Sequence, residues 1–405
     1  MPYGAKAQER LARIATCSQD RNGVTRFPFT KAHHQAIAQI THWMERAGLS
    51  TSMDSAATLI GRLEGPKGAK TLLLGSHQDS VRNGGRYDGI MGIALACLAL
   101  QKLKDSNIAL PFAVEVLAFA DEEGARFPTA LMGPRALAGS FDPAVLDMCD
   151  RDGISLADAL AEFGGAPQDL HSLARQPDEI IGYIETHIEQ GPVLEVQDLA
   201  LGIVTAICGI ERNEIVFSGE TGHAGTVPMK GRKDALVAAA RFIAEVSDRA
   251  NTANAIRATV GALSIAPDVV NAIPNSAKLT LEIRSEADKS RADFAAAMRS
   301  IAEQIAARSG TEFTMRRTYE QPAVQCAPGL TNALITAAKA EGHRPFSLPS
   351  GATHDASAMA DLCPIAMLFV RCTNGLSHHP DEFASDADMG AAINTLAIAL
   401  TQIEA

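Results

Sequence analysis

Two short apolar runs, Thr71–Leu74 and Phe112–Ala120, each lead into ionisable residues: His77 in one case, Glu122 and Glu123 in the other. Runs of this kind fit strands buried on both faces, the pattern of parallel sheets covered by helices. Helical patterns flank them. Gly89–Lys104 is apolar almost throughout, and Lys31–Ala47 is amphipathic and ends at Gly48. Thr58–Leu63 reads as a further strand, parted from Thr71–Leu74 by the turn signal Gly65-Pro-Lys-Gly68. Strands alternating with helices predict an α/β layer. In such sheets chemistry collects beyond the carboxyl ends of the strands, where His77 and Glu122–Glu123 fall.

A chain of 405 residues exceeds what one hydrophobic core usually supports. The middle of the chain has a different texture. Glu214–Ser218 reads as strand, Lys233–Arg249 as helix, Ala258–Ile265 and Lys278–Arg284 as strands, Ala292–Ala307 as helix and Glu312–Thr318 as strand. That succession is β-α-β-β-α-β, the ferredoxin-like order. We therefore expect an inserted α+β domain at 209–322 between two parts of a catalytic domain, 1–208 and 323–405.

The formal charge is −11 with no basic block to offset it, which argues against nucleic acid as a partner. The longest apolar stretch, Ile90–Leu100, is too short to span a bilayer. Seven cysteines are scattered without a C-x-x-C pair, and the first residues carry no apolar signal core. A reducing cytoplasm is the compartment this predicts.

Four motifs carry candidate chemistry: Leu74-Gly-Ser-His-Gln-Asp-Ser-Val81 with Gly84-Gly-Arg-Tyr-Asp-Gly89; Asp121-Glu-Glu-Gly124; Glu185-Thr-His-Ile-Glu-Gln-Gly-Pro192; and Ser377-His-His-Pro-Asp-Glu382. They offer His77, Asp88, Glu123, His187 and a histidine at 378 or 379, which residue chemistry alone does not separate. Imidazoles and carboxylates together suit zinc or similar divalent metals. Five ligands exceed one zinc and fit two metals sharing a bridging carboxylate, best supplied by Asp88. Asp88 could also cap the helix that follows it. Glycines 84, 85 and 89 would let the backbone come close to the metals. Asp79, two residues after His77, would orient its ring. Glu122 and Glu123 are adjacent, so their side chains diverge: Glu123 is assigned as ligand and Glu122 as general base. Metal-coordinated water has a pKa of about 7, within reach of such a base, which can then pass the proton to a leaving nitrogen. Two divalent cations with two ligating carboxylates leave a positive centre suited to a developing oxyanion.

Further along, His223 sits in Gly222-His-Ala-Gly-Thr-Val-Pro-Met229, where it reads as a turn residue or an oxyanion donor. Arg284 ends an apolar strand, an odd place for a charge unless it binds an anion. Its planar guanidinium suits a substrate carboxylate, the alternative being a structural ion pair.

Together these motifs resemble the amidase/hydantoinase-carbamoylase family of di-metal amidohydrolases, over nearly the whole chain from Val24-Thr-Arg-Phe-Pro-Phe-Thr30 to Ser377-His-His-Pro380. The resemblance implies a di-metal peptidase-like catalytic domain with an inserted dimerisation domain. It also implies a homodimer and two divalent ions per subunit, zinc or manganese, with cobalt or nickel as alternatives. It carries over His77, Asp88, Glu123, His187 and His378 as ligands, leaving His379 at a variable position. Glu122 carries over as base, and Gln190, Asn271 and Arg284 as substrate contacts. His223 carries over as a residue that reaches the partner subunit's active site. Thr353 and His354, within Ser350-Gly-Ala-Thr-His-Asp-Ala356, are assigned to the substrate pocket. Thr353 departs from the family, which usually has glycine there, and Asp54-Ser-Ala-Ala-Thr58 lacks the usual Gly-Asn pair. Both departures bear on substrate identity rather than on the chemistry.

The expected activity is hydrolysis of the C–N bond of a ureido (N-carbamoyl) acid, with allantoate as first choice and N-carbamoyl-L-amino acids or β-ureidopropionate as alternatives. A metallo-aminoacylase or dipeptidase is the enzymatic rival. A metal-binding scaffold is the non-enzymatic one, and the second glutamate beside the ligand argues against it.

Overall fold

The computed structural model describes residues 1–404. Its contacts divide the described chain into two units, one of residues 1–205 with 325–404 and one of residues 206–324.

The first unit is built on a nine-stranded mixed sheet. At its centre four strands run parallel, in the order Ala113–Phe119, Thr71–His77, Ile180–Ile188 and Ile365–Val370. Antiparallel strands extend it on either side, Leu59–Leu63 with Ser50–Met53 and Leu201–Ile207. The first two central strands are buried along their whole length. Glu115, the one charge in Ala113–Phe119, is neutralised by Arg62 at 2.8 Å and Arg175 at 3.2 Å.

The helix Ile90–Asp105 is apolar on every face, and such a helix must be buried all round. It packs on the sheet and against the helices Lys31–Ala47, Tyr3–Ile14 and Asp386–Gln402. Leu95, Leu98, Ile93 and Ile393 meet in that layer, each fully buried, and each such side chain contributes roughly 1.5–3 kcal/mol. Helix Lys31–Ala47 starts on Thr30, whose hydroxyl caps the His33 amide, and stops at Gly48 with φ +93°.

The second unit runs strand Gly209–Ser218, helix Ala235–Thr252, strands Arg257–Thr259 and Leu263–Ala266, strand Ser276–Ser285, helix Asp288–Ser309 and strand Glu312–Gln321. All its strand pairings are antiparallel. The span 258–265, expected as one strand, is two pieces on the same partner. Thr259 pairs with Glu282 and Leu263 with Leu279, so one side holds an extra residue at Val260-Gly261-Ala262. A bulge breaks the ladder there.

Ser276–Ser285 alternates buried and outer residues, as a strand with one covered face does. Leu279, Leu281 and Ile283 join Phe217, Phe242 and Met298 in the unit's core. Its other face carries Lys278, Glu282 and Arg284. The expectation that Arg284 ends an apolar strand is therefore corrected: it lies on the polar face of an alternating one.

Candidate metal centre

Three parallel strands deliver the central residues at their carboxyl ends. His77 is the last residue of its strand, Glu122 and Glu123 follow Phe119 closely, and His187 is next to last in Ile180–Ile188. Asp88 lies on the loop between His77 and the helix Ile90–Asp105, and His378 on the loop after Ile365–Val370. All but His378 are largely buried.

The two imidazoles on strands are oriented by carbonyls. His77 Nδ1 lies 3.1 Å from the Asp79 carbonyl oxygen, and His187 Nδ1 lies 2.9 Å from that of Ile188. A carbonyl only accepts, so each Nδ1 carries a hydrogen, which leaves Nε2 as the nitrogen that would ligate a metal. Gly89 is required beside them. Its φ is +65°, and a Cβ there would overlap the His77 ring.

Asp88 is the hub. His187 Nε2 is 3.2 Å from its Oδ1, and His378 Nε2 is 3.1 Å from its Oδ2. Gln190 Nε2 donates to Oδ1 at 3.1 Å, and the Ser377 hydroxyl lies 3.3 Å from Oδ2. The expectation that Asp88 caps the following helix is corrected. Gly89 is the capping position and has no side chain with which to cap, while both Asp88 oxygens face the histidines. Gly85 serves a different neighbour from the expected metals: a Cβ there would collide with Glu382.

Asp79 does more than face His77, whose Nδ1 is 3.6 Å from its Oδ1. Its two oxygens accept the backbone N–H groups of Glu122 and Glu123, each at 3.2 Å. Glu122 Oε2 stands 4.0 Å from His77 Nε2, and Glu123 Oε2 stands 3.6 Å from His378 Nε2.

The charges in this cluster are mutually dependent. Burial works against the charge of Asp88, yet the hydrogen bonds of His187 and His378 hold its carboxyl well below the usual range. The bond to Asp88 lifts His378 to about 9 against the pull of burial. Burial and the Asp88 charge push Glu123 up to about 7. Burial raises Glu122 well above an ordinary glutamate; His77 opposes this and Glu123 reinforces it. Buried carboxylates that repel one another are the setting a cation relieves.

The residues fit such a group. Ligand-type atoms lie within 4.8 Å of one another in the trio His77, Asp88 and His187 and in the trio Asp88, Glu123 and His378, with Asp88 common to both. Glu123 Oε1 is buried without a hydrogen-bond partner. A third trio, His77, Glu122 and Glu123, keeps Glu122 close enough to act on whatever those trios hold. His379 is turned away, its Nδ1 accepting the Asp381 amide at 3.2 Å. His378 has φ +56° and Gln190 φ +58°, a conformation that costs non-glycine residues energy and gathers at functional sites.

Of the remaining expected residues, His354 is buried with its ring edge-on to His187, centroids 4.5 Å apart, and its Nε2 is 2.7 Å from Ser350 Oγ. Thr353 precedes it, half-buried. His223, Asn271 and Arg284 belong to the 206–324 unit. His223 and Asn271 are neighbours there: His223 forms a bridge with Ala272, and the Ala224 amide donates to the Asn271 carbonyl at 2.9 Å. His223 is exposed, and its Nδ1 accepts the Gly225 amide at 3.1 Å. That bond leaves the hydrogen on Nε2, so the ring presents a donor. Arg284 Nε donates to Glu282 at 2.7 Å, and Glu282 also pairs with Arg212 at 2.7 Å.

Four further buried or half-buried groups around the centre were not singled out from sequence. Glu185 accepts from Ser76 Oγ at 2.8 Å and from the Ala356 amide at 2.9 Å. Its spacing of two from His187 on one strand was the available signal. Ser377 and Glu382 bracket His378 in the quoted motif. Asp355 is fully buried with neither carboxylate oxygen hydrogen-bonded.

Residues 73–402 match the family model described as peptidase family M20/M25/M40. The chain is 37% identical over 398 residues to an N-carbamoyl-L-amino acid amidohydrolase of Geobacillus stearothermophilus, covering 98% of this chain and 97% of that one. It is 38% identical over 419 residues to an allantoate deiminase of Arabidopsis thaliana, covering 96% and 80% respectively. Among solved structures, an amidase of the hydantoinase/carbamoylase family from Burkholderia multivorans superposes with a TM-score of 0.92 at 31% identity, covering 98% of this chain and 97% of that chain.

Proposed function

We propose, from the premise that this chain belongs to peptidase family M20/M25/M40 and is a hydrolase of amide or ureido C–N bonds, that its substrate is a ureido acid, with allantoate the first choice. The observation that carries the reading is Asp88, whose two oxygens face His187 and His378 separately while Glu122 stands beside the same cluster. The relatives named for N-carbamoyl-L-amino acids and for allantoate support the ureido class.

In this reading His77, Asp88 and His187 would hold one divalent ion and Asp88, Glu123 and His378 the other, zinc or manganese, with cobalt or nickel as alternatives. Such ions, when bound, would polarise the ureido carbonyl and lower the pKa of a water so that a base can remove its proton at neutral pH. Glu122 takes the proton from that water and returns it to the departing nitrogen. Asp79 holds the backbone of Glu122 and Glu123 in place by their amides. Collapse of the tetrahedral carbon breaks its bond to the nitrogen that has received the proton. The carbamic acid left after cleavage loses CO₂, so the net products are an amine, ammonia and CO₂.

We assign Gln190, Thr353 and His354 to the pocket wall. Arg284 takes the substrate carboxylate through its guanidinium, which leaves Nε on Glu282. Asn271 reads the polar remainder, and His223 donates from Nε2 to the carbonyl oxygen of a site in the partner subunit of a homodimer. The chain is placed in the cytoplasm. Among the described residues no helix is long and apolar enough to cross a membrane.

The test is a screen of metal-loaded protein for amine and ammonia release from allantoate, 3-ureidopropionate, N-carbamoyl amino acids, N-acetyl amino acids and dipeptides. Turnover of ureido acids with allantoate first is expected. Turnover confined to N-acetyl amino acids or dipeptides would move the chain to the aminoacylase or dipeptidase reading. A preference for bulky aromatic carbamoyl amino acids would refute the compact pocket assigned to Thr353.

A further inference from the structure

Glu382 ties together two loops that the chain separates by almost three hundred residues. It is 2% exposed. Its Oε1 accepts the backbone N–H of Tyr87 at 2.9 Å and of Asp88 at 3.0 Å. Its Oε2 accepts the Ser377 hydroxyl at 3.1 Å, and that same hydroxyl lies 3.3 Å from Asp88 Oδ2. Its own backbone N–H donates to the His379 carbonyl at 3.0 Å, closing the turn just after His378. Gly85 leaves the room: any side chain there would occupy the space of the Glu382 carboxylate.

We infer that Glu382 is a positioning residue that fixes the Asp88 loop against the His378 loop, and so forms the metal position of Asp88, Glu123 and His378 far more than that of His77, Asp88 and His187. The asymmetry follows from how the ligands are anchored. His77 and His187 stand on strands, each with Nδ1 on a backbone carbonyl. Among the described residues the His378 ring has no such carbonyl anchor and meets only the carboxylates of Asp88 and Glu123. His378 sits on a loop with φ +56° and a side chain 49% exposed, and the residue before it, Ser377, is held by the Glu382 carboxylate. Removing the Glu382 carboxylate therefore frees two of the three groups at one position and only the shared Asp88 at the other. Backbone N–H groups buried with Glu382 would also lose their acceptor, which keeps the loop from simply staying in place.

The inference rests on the two-metal reading, and one experiment separates the two. Chelator-stripped wild type, Glu382→Ala and Glu382→Gln are titrated with Mn²⁺ alone, and binding is followed by calorimetry. Wild type is expected to bind two ions. Partners that support metal ligands are typically worth about 10–100-fold in affinity, so Glu382→Ala should weaken one ion by at least about tenfold and the other by less than about threefold. Glutamine keeps an oxygen for both amides and a group for Ser377, so Glu382→Gln should keep both ions near wild-type affinity. In a His378→Ala background, Glu382→Ala should change the remaining ion little. Equal weakening of both ions, no weakening, or a glutamine variant as impaired as the alanine variant overturns the role of Glu382. One ion in wild type overturns the two-metal reading itself and this inference with it. Should Glu382→Ala not fold, Ser377→Ala decides, because it must weaken one ion only; uniform or absent weakening there overturns the inference.

Discussion

The Asp79 carboxylate accepts the backbone N–H of Glu122 at 3.2 Å through one oxygen, while its other oxygen accepts that of Glu123 at the same distance. A residue that looks from sequence like a partner for His77 alone therefore also sets where two glutamates stand. Asp79→Asn replaces one acceptor by an amide group that donates, facing a backbone N–H that also donates. Support of this kind is typically worth about 10–100-fold, and we expect kcat/KM to fall by that factor without loss of the fold. A variant within about threefold of wild type, on the same scale, would remove Asp79 from the account.

Glu122→Gln keeps the side chain's shape and cannot accept a proton. Turnover should fall by about 10²–10⁴-fold, the usual worth of a general base, with metal content unchanged. The trio His77, Glu122 and Glu123 makes the opposite outcome concrete. If the variant loses an ion, Glu122 is a ligand and the two glutamates exchange roles.

Much of this centre was legible because strand ends are legible. The apolar runs before His77 and Glu122 mark buried strands, and the carboxyl ends of neighbouring parallel strands meet in space. His187 shares a strand face with Glu185 through a spacing of two. What stayed hidden depends on contacts across long stretches of chain. Nothing local to Asp88 says that its oxygens will be claimed by His187 and His378 rather than by the helix behind it. His378 and His379 are adjacent and similarly exposed, yet one meets Asp88 and the other Asp381. Glu382 meets the Asp88 amide from the far end of the sequence. Arg284 was misread because an alternating strand, reduced to its apolar half, passes for an apolar one.

His33 lies away from the centre and is fully buried, stacked on Phe163 with its Nδ1 accepting the Phe29 amide at 3.0 Å. Burial, helped by Arg26, lowers its pKa to about 3. The unfolded chain, with a histidine near about 6.5, binds the proton more readily. His33 therefore contributes stability that is fully present above about 6.5 and is lost as pH falls toward about 3, at up to roughly 1.4 kcal/mol per pH unit. Asparagine can offer an oxygen to Phe29 and does not titrate. His33→Asn should be less stable at pH 7 and show a flatter fall in denaturation midpoint between pH 6.5 and pH 4 than wild type. Parallel curves for the two proteins would mean that His33 carries no such load.

His223 presents an exposed Nε2 donor, an arrangement suited to serving another chain's site. Under the proposed homodimer, inactive His223→Ala and inactive Glu122→Gln proteins should regain activity when their subunits exchange. Random pairing makes about half the dimers mixed, and each mixed dimer has one intact site, so recovery approaches about a quarter of wild type when variants act independently. No recovery after demonstrated exchange would confine His223 to its own subunit or to a turn.

The central claim is that Asp88 is shared by two metal positions, and metal content tests it most directly. Wild type loaded with Mn²⁺ or Zn²⁺ and freed of excess should carry two equivalents per subunit. Chelation should abolish turnover, and readdition should restore it. Asp88→Asn should fail to retain both ions together. One equivalent with full activity, or two equivalents held undiminished by Asp88→Asn, would contradict the account.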